Sequence, residues 1–515
     1  MQAHLRIARD AMSGNEALGR YDLLVVGGGI NGAGIARDAA GRGYSVLLVE
    51  QDDLAGHTSS ASTKLIHGGL RYLEYGEFRL VREALIERER LWRMAPHIIW
   101  PLRFVLPQNQ SPRPAWMVRM GLFLYDHLGG RKALPATQTI ALDRSPLGAG
   151  LADRTGKGFV YSDCRVEDSR LVVLNALDAA ERGAEIRTRT RLLSATREAG
   201  EWRARIADEQ GERDVRARIL VNAAGPWVAE ILRASGVQSE RHVRLIKGSH
   251  IVVPRLYEGD HAFMLQNPDR RIVFAIPYEG RFTLVGTTDT QWEGPPGKAE
   301  IGEAESDYLL DSANRYFARR IGRADIVWSY AGIRPLYDDQ AGSAAAVTRD
   351  YVLDLDSEGP PLLSVFGGKI TTYRRLAEQA LDLLAPYGKA ARGSWTAGAT
   401  LPGGDLPEAG FAGFVDGLVA AYPALPRQLL RRLARAYGTR SAQLIGRAER
   451  LDDLGPTFGG DLSRAEVDYL VTQEWARTGD DILYRRSKLG LHLPADAAER
   501  IDRYLDERRT PLPMP

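Results

Sequence analysis

Residues 21–50, YDLLVVGGGINGAGIARDAAGRGYSVLLVE, decide the fold. The apolar run 23–26 stops at Gly27 and reads as a short strand buried on both faces. The spacing predicts a helix from Ile30 to about Arg42, with Gly43 as its stop. A second apolar run, 46–49, ends on Glu50. Strand, helix and strand with this punctuation form one βαβ unit. Gly27, Gly29 and Gly32 fit G-x-G-x-x-G between a strand and a helix, the context that gives the pattern its mechanics. Backbone there can approach a pyrophosphate at a helix N-terminus. Glu50, eighteen residues beyond Gly32, can accept from ribose hydroxyls. A carboxylate at that position repels a 2′-phosphate and disfavours NADP. The fingerprint alone leaves FAD and NAD open.

The sequence just downstream favours FAD. Residues 58–64, TSSASTK, place several small hydroxyl side chains in one stretch, suited to a phosphate and a polar ring edge; a solvated Ser/Thr loop is the plainer reading. The strand 219–222 runs into Ala223-Ala224-Gly225, a second place where backbone can approach a cofactor. Helices are predicted over 78–94, 171–182 and 303–319. Runs at 251–253, 272–276 and 282–285, joined by turns such as Glu279-Gly280, suggest an antiparallel sheet. The run 362–366 meets Gly367-Gly368, and a helix is expected to begin near Lys369. After the boundary at 401–407, LPGGDLP, strand patterning is lost and short arginine-rich helices follow. The chain is therefore read as α/β, opening on a dinucleotide-binding βαβ unit, with an antiparallel sheet in its middle and a separate helical domain after the boundary.

Composition narrows the function classes. Lys and Arg total 68 and Asp and Glu 66 in 515 residues, so a formal charge of +2 gives no global field for nucleic acid. The one cysteine, Cys164, rules out an intrachain disulfide, cysteine-cluster zinc sites and iron–sulfur clusters, and fits a reducing compartment. No metal site is indicated. No run of about 18 apolar residues could span a membrane. Residues 1–19 lack the apolar stretch of a secretory signal and read as a frayed tail.

Residues 26–34 and 58–72, the latter TSSASTKLIHGGLRY, resemble the FAD-dependent glycerol-3-phosphate dehydrogenases of the respiratory, quinone-reducing kind. Stretches at 96–107, 113–128, 161–164, 222–227, 245–254, 286–289, 332–336 and 364–373 resemble them too, so the likeness spans about 21–386. The twenty-residue N-terminal extension and His57 are departures or variable positions. The resemblance implies that non-covalently bound FAD takes a hydride from C2 of sn-glycerol 3-phosphate, giving dihydroxyacetone phosphate, and that electrons pass to a membrane quinone. It implies a Rossmann-type FAD-binding domain (20–75, 150–235 and 330–398), a substrate domain with an antiparallel sheet (76–149 and 236–329) and a helical C-terminal cap (399–515). It also implies a homodimer in the cytoplasm, held on the inner face of the plasma membrane without spanning it. It assigns the substrate site to Arg71, Tyr72, His250, Arg334 and Lys369, of which His250, Arg334 and Lys369 are the catalytic candidates. Cofactor positions are Gly27, Gly29, Gly32, Glu50, Thr58, Ser59, Ser62, Lys64, Leu65, Gly225, Gly368, Lys369, Ile370 and Thr371.

Residue chemistry agrees with a phosphorylated substrate. A group near −2 charge calls for guanidinium forks and ammonium groups in a cleft, and Arg71, Arg334 and Lys369 each sit in a glycine-rich or turn context. A cation at a helix N-terminus, as expected for Lys369, opposes the macrodipole by about 0.3–1 kcal/mol unless an anion offsets it. Alcohol oxidation needs a proton acceptor, and His250 on its strand is the candidate base. Two alternatives stand beside it: a histidine bonded within the sheet, or water as acceptor with Arg334 lowering the pKa of the substrate hydroxyl. His67 is assigned to shaping the flavin pocket. The stretch 116–125, flanked by Arg113, Arg119, Arg131 and Lys132, suits an interfacial segment or a buried core helix. The arginines at 427, 431, 432 and 435 suit anionic headgroups or a solvated face. A peroxide-forming oxidase, an amine or amino-acid oxidase of the same fold, and a non-catalytic flavin-binding module are the competing readings.

Overall fold

The computed structural model of the chain describes residues 19–130, 133–338 and 350–509. Residues 1–18 of the expected tail, and Arg131 and Lys132, lie outside the described residues. Two sheets organise the chain. The first has eight strands and runs Tyr351–Asp356, Leu362–Gly367, Gly211–Asn222, Arg20–Val26, Val46–Val49 and Glu185–Arg187, with the hairpin Arg191–Glu198 and Glu201–Asp208 attached. Its centre is parallel: Leu23 pairs with Ile219 and Val46, and Leu220 with Leu362. Both faces are covered, so the central strands are apolar throughout. Three helices share the core on one face. Ile30–Arg42 contributes Ala33, Ala36 and Ala39, Asp168–Glu181 contributes Val172 and Val173, and Tyr373–Leu384 contributes Leu376, Ala377 and Ala380.

The second sheet has ten strands around Val243–Pro254, which pairs with Phe282–Gly286, Thr290–Gln291 and Trp328–Tyr337. The Glu279-Gly280 turn joins Ile272–Tyr278 to Phe282–Gly286, with φ of +45° and +70°. This sheet is mixed rather than purely antiparallel, since Ala262–Gln266 runs parallel to Ile99–Pro107. Lys157–Val166 and Trp328–Tyr337 also lie in it, although most of their residues fall within segments assigned above to FAD binding. Their pairing partners are distant in sequence, and local pattern carries no information about them.

Two helix boundaries differ from the sequence expectation in instructive ways. The predicted 171–182 helix starts at Asp168, whose carboxylate sits favourably in the first turn. The helix expected near Lys369 starts instead at Tyr373. Gly367 and Gly368 both have positive φ, +79° and +111°, and residues 369–372 form a turn before the helix axis is set. The macrodipole argument for Lys369 therefore falls away.

The C-terminal helices build a core of their own from Leu430, Leu433, Val467, Leu470, Ile482 and Ile501. Arg432 pairs with Glu466, Arg427 with Asp416, and Arg435 lies between the rings of Trp100 and Phe411. Arg432 and Arg435 are thus internal contacts and not headgroup ligands, whereas Arg427 and Arg431 are exposed. Buried ion pairs tie this region to the first sheet. Arg170 pairs with Glu474, and Arg485 and Arg486 both donate to Asp53, at 2.6 and 2.8 Å. Lys488 lies 3.7 Å from Asp168. Arg486→Ala leaves Asp53 with Arg485 as its arginine partner and empties a buried site, so it is expected to cost about 1–3 kcal/mol of stability, read from urea unfolding. A loss under about 0.5 kcal/mol would mean that Arg485 alone satisfies Asp53.

Candidate active site

Four parallel strands of the first sheet point their C-terminal ends, through Gly27, Glu50, Ala223 and Gly368, into one cavity of about 630 Å³. That is where open α/β sheets bind ligands. The second sheet supplies the facing wall, with Met264, Ile272, Phe274, Asp289 and Arg334.

On the dinucleotide side, Gly27 has φ +112°, and a Cβ there would meet the carbonyl of Ala223. Gly32 packs behind the turn, where a Cβ would run into the carbonyl oxygen of Gly27. Gly32 therefore shapes the wall without lining it. Ser59 Oγ accepts from Ile30 N at 3.0 Å, tying the hydroxyl-rich stretch to the helix start. The Glu50 carboxylate accepts from Gly28 N at 2.6 Å and from Asp52 N at 2.8 Å. Burial raises its pKa, and the two amides oppose the rise. His57 bonds Asp52 at 2.7 Å and its ring lies 4.6 Å from that of Trp227, with His57 and Trp227 both on the wall.

The stretch 58–64 is held from behind. Thr58 Oγ1 donates to Ile333 O at 2.6 Å, and Ser62 Oγ to Asp168 at 2.7 Å. Lys64, 1% exposed, donates to Ser60 O and Asp168, both at 2.9 Å. Desolvation brings its pKa down to about 8 against the pull of Asp168. The Lys64 ammonium thus anchors the loop and does not face the cavity. Thr371, fully buried, likewise accepts from His67 N at 3.2 Å behind the wall. Thr58, Ser59, Ser62, Leu65, Gly225, Gly368 and Ile370 do line it.

On the opposite side the cavity collects Arg71, Tyr72, Arg334 and Lys369. Arg334 donates to Asp289 Oδ1 at 2.5 Å and Thr287 Oγ1 at 2.6 Å, which fixes its fork. Lys369 Nζ donates to His67 O at 2.7 Å and stands 5.1 Å from the Tyr72 ring. Arg71 donates to the Tyr75 hydroxyl at 3.1 Å, while its Nε is buried with no partner among the described residues. His67 lines the cavity, and burial with the nearby Lys369 cation pushes its pKa well below the usual value.

His250 differs from its expected placement. It is fully buried and off the cavity wall. Its Nε2 lies 3.0 Å from Thr63 Oγ1, and its ring stacks on Tyr330 at 4.8 Å. Burial first, then Arg334 and Lys64, push its pKa well below the ordinary range, so the imidazole is neutral. Sequence reasoning did not single out Thr63, Thr287 or Asp289. All three lie in stretches that carried the family resemblance, TSSASTK and 286–289.

The site fits FAD by its own geometry: a glycine turn closed to any Cβ, a carboxylate fixed at the second strand end, and a long cavity between two sheets. The chain belongs to the FAD dependent oxidoreductase family, which residues 22–374 match, and residues 394–508 match the C-terminal domain of alpha-glycerophosphate oxidase. FAD is its cofactor. Among its relatives, the glycerol-3-phosphate dehydrogenase of Pseudomonas aeruginosa is 54% identical over 498 residues, 96% of each chain. The D-erythritol 1-phosphate dehydrogenase of Brucella abortus is 55% identical over 476 residues, 92% of this chain and 95% of that one. The structure of the glycerol-3-phosphate dehydrogenase from Bacillus halodurans complexed with FAD superposes with a TM-score of 0.75 at 28% identity, covering 95% of this chain and 90% of that one.

Proposed function

We propose that the protein oxidises sn-glycerol 3-phosphate to dihydroxyacetone phosphate. The observation that carries this reading is the presence of three cationic side chains, Arg71, Arg334 and Lys369, in the same cavity as the dinucleotide turn. Bound FAD supplies the acceptor for the C2 hydride. Arg334, already oriented by Asp289 and Thr287, offers a planar fork to the phosphate, and Lys369 and Arg71 add charge. Met264, Ile272 and Phe274 give the same space an apolar wall that limits water around the reacting carbon. The test is anaerobic flavin absorbance before and after sn-glycerol 3-phosphate, followed by a soluble quinone analogue. Bleaching and then recovery is the expected result; a flavin that stays oxidised would remove the substrate from the proposal.

A second substrate calls for the same assay. The relative that acts on D-erythritol 1-phosphate is as similar to this chain as those that act on glycerol 3-phosphate. Both are polyol phosphates, and the ratio of kcat/KM for the two decides which the cavity prefers.

The electron acceptor in this reading is a membrane quinone, reached from the inner face of the plasma membrane by a homodimer. Among the described residues no helix is long and apolar enough to cross a membrane. The support for surface contact is the helix Ala115–Leu128, which buries Val118, Leu122 and Tyr125 and exposes Trp116 (68%), Met120 (55%) and Phe123 (53%). The stretch 116–125 thus has a core face and an outer apolar face together. Tyr75 and Phe78 are exposed as well, at the end of and just beyond Leu70–Tyr75, a segment that contributes to the cavity wall. The triple variant Trp116→Ser, Met120→Ser, Phe123→Ser is expected to lose most binding to anionic vesicles in a flotation assay while keeping flavin reduction by substrate. Retained flotation would move the contact elsewhere. Light scattering reads the dimer.

A further inference from the structure

We infer that Thr63 is a catalytic residue: its hydroxyl relays the substrate's C2–OH proton to the buried imidazole of His250. The inference rests on the proposed oxidation of a polyol phosphate. When C2–H leaves as hydride, the C2 hydroxyl must lose a proton for the C=O bond to form. His250 cannot take that proton directly, because it has no surface on the cavity. Thr63 lies on the wall, and its Oγ1 is the hydrogen-bond partner of His250 Nε2, at 3.0 Å.

The surroundings make sense for a relay and not for a structural histidine. A buried imidazole is costly to keep unless its nitrogens are satisfied, yet Nδ1 has no partner among the described residues. The ring is nevertheless held firmly. Gly286, opposite His250 in the neighbouring strand, leaves the space that a Cβ would fill, and Tyr330, its partner on the other side, stacks on it. Tyr330 in turn donates to Ser62 O at 2.9 Å, fixing the residue before Thr63. The charged groups acting on the imidazole are Arg334 and Lys64. Lys64 is matched by Asp168 and Arg334 by Asp289, and Arg334 also faces the cavity. A dianionic phosphate beside Arg334 would add negative potential that favours the protonated imidazole, against a suppression that comes first from burial and only then from Arg334 and Lys64.

The step balances. The C2–OH proton moves to Thr63 Oγ1 as the Thr63 proton moves to His250 Nε2, and the C2 hydride goes to the flavin. The alcohol thus loses one hydride and one proton to become the ketone. After product leaves, the proton returns through Thr63 to cavity water.

The test uses flavin-loaded enzyme in anaerobic stopped flow with sn-glycerol 3-phosphate, across pH 5.5–9, for wild type, Thr63→Val, Thr63→Ser, His250→Asn and the Val/Asn double variant. Flavin content and substrate Kd are measured for each. Thr63→Val is expected to slow flavin reduction by about 10²–10⁴-fold, with Kd changed by only a few-fold. Its remaining rate should rise with pH as hydroxide replaces the relay. Thr63→Ser should recover most of the rate, and the double variant should be no slower than the worse single one, as for groups acting as a unit. Thr63→Val at the wild-type rate, Ser as slow as Val, or multiplying single effects would overturn the relay while leaving the substrate reading intact. A wild-type flavin that the substrate does not reduce would sink both. His67, which lines the cavity directly, is the competing acceptor: a His67→Asn variant slowed in place of Thr63→Val would also overturn the relay.

Discussion

Gly32→Ala is expected to give a protein that folds without its flavin. A methyl group at this position meets the carbonyl oxygen of Gly27, which is backbone and cannot rotate away. Relief requires the start of the helix Ile30–Arg42 to move away from the turn. The turn itself is pinned, because Gly27 N donates to Val49 O at 2.9 Å and Gly28 N to Glu50 at 2.6 Å. Overpacking costs about 1–3 kcal/mol even where side chains can adapt. With a backbone obstacle the upper end applies, about a hundredfold in FAD affinity. The measurement is the ratio of flavin to protein absorbance after gel filtration, with circular dichroism to check helix content. A fully yellow Gly32→Ala protein would show that the turn relaxes more easily than its contacts imply.

Arg334→Ala is expected to lower kcat/KM by roughly 30- to 5000-fold, from the 2–5 kcal/mol typical when one partner of a desolvated charged pair is lost. Two effects add. The fork that faces the cavity disappears, and Asp289 is left as an anion beside the place where a phosphate would sit. Arg334→Lys should recover part of the loss at most, since one ammonium cannot reproduce the fork held by both Asp289 and Thr287. Unchanged flavin-reduction kinetics in Arg334→Ala would take this residue out of the site.

Much of the fold was legible because its decisive unit is local. Residues 23–50 contain their own strand ends, helix stop and turn, and the helices Ile30–Arg42 and Phe78–Met94 have the predicted bounds. The places where reading failed were of two kinds. Pairing across distance was invisible, as for Ala262–Gln266 running parallel to Ile99–Pro107. Local backbone direction was also invisible: consecutive positive-φ glycines at 367 and 368 delay the helix that the apolar pattern placed at Lys369. For the site, the motifs located the cavity wall well at Gly27, Glu50, Arg71, Arg334 and Lys369. They did not tell wall from backing. Gly32, Lys64, His250 and Thr371 sit one layer behind, because the direction of a side chain in an irregular loop or a two-sided buried strand does not follow from its spacing. The same ambiguity hid Thr63, one residue from Lys64 but facing the cavity.

The pairing of Asp53 with Arg485 and Arg486 spans 432 and 433 positions. Asp53 lies three residues past Glu50, in the loop that frames the cofactor turn. During synthesis, at about 5–20 residues per second, the turn leaves the ribosome roughly 20–90 seconds before its arginine clamp exists. The loop beside the cofactor turn therefore gains its full set of contacts only after more than 400 further residues have been made, so the first-made part of the chain is among the last to be completed.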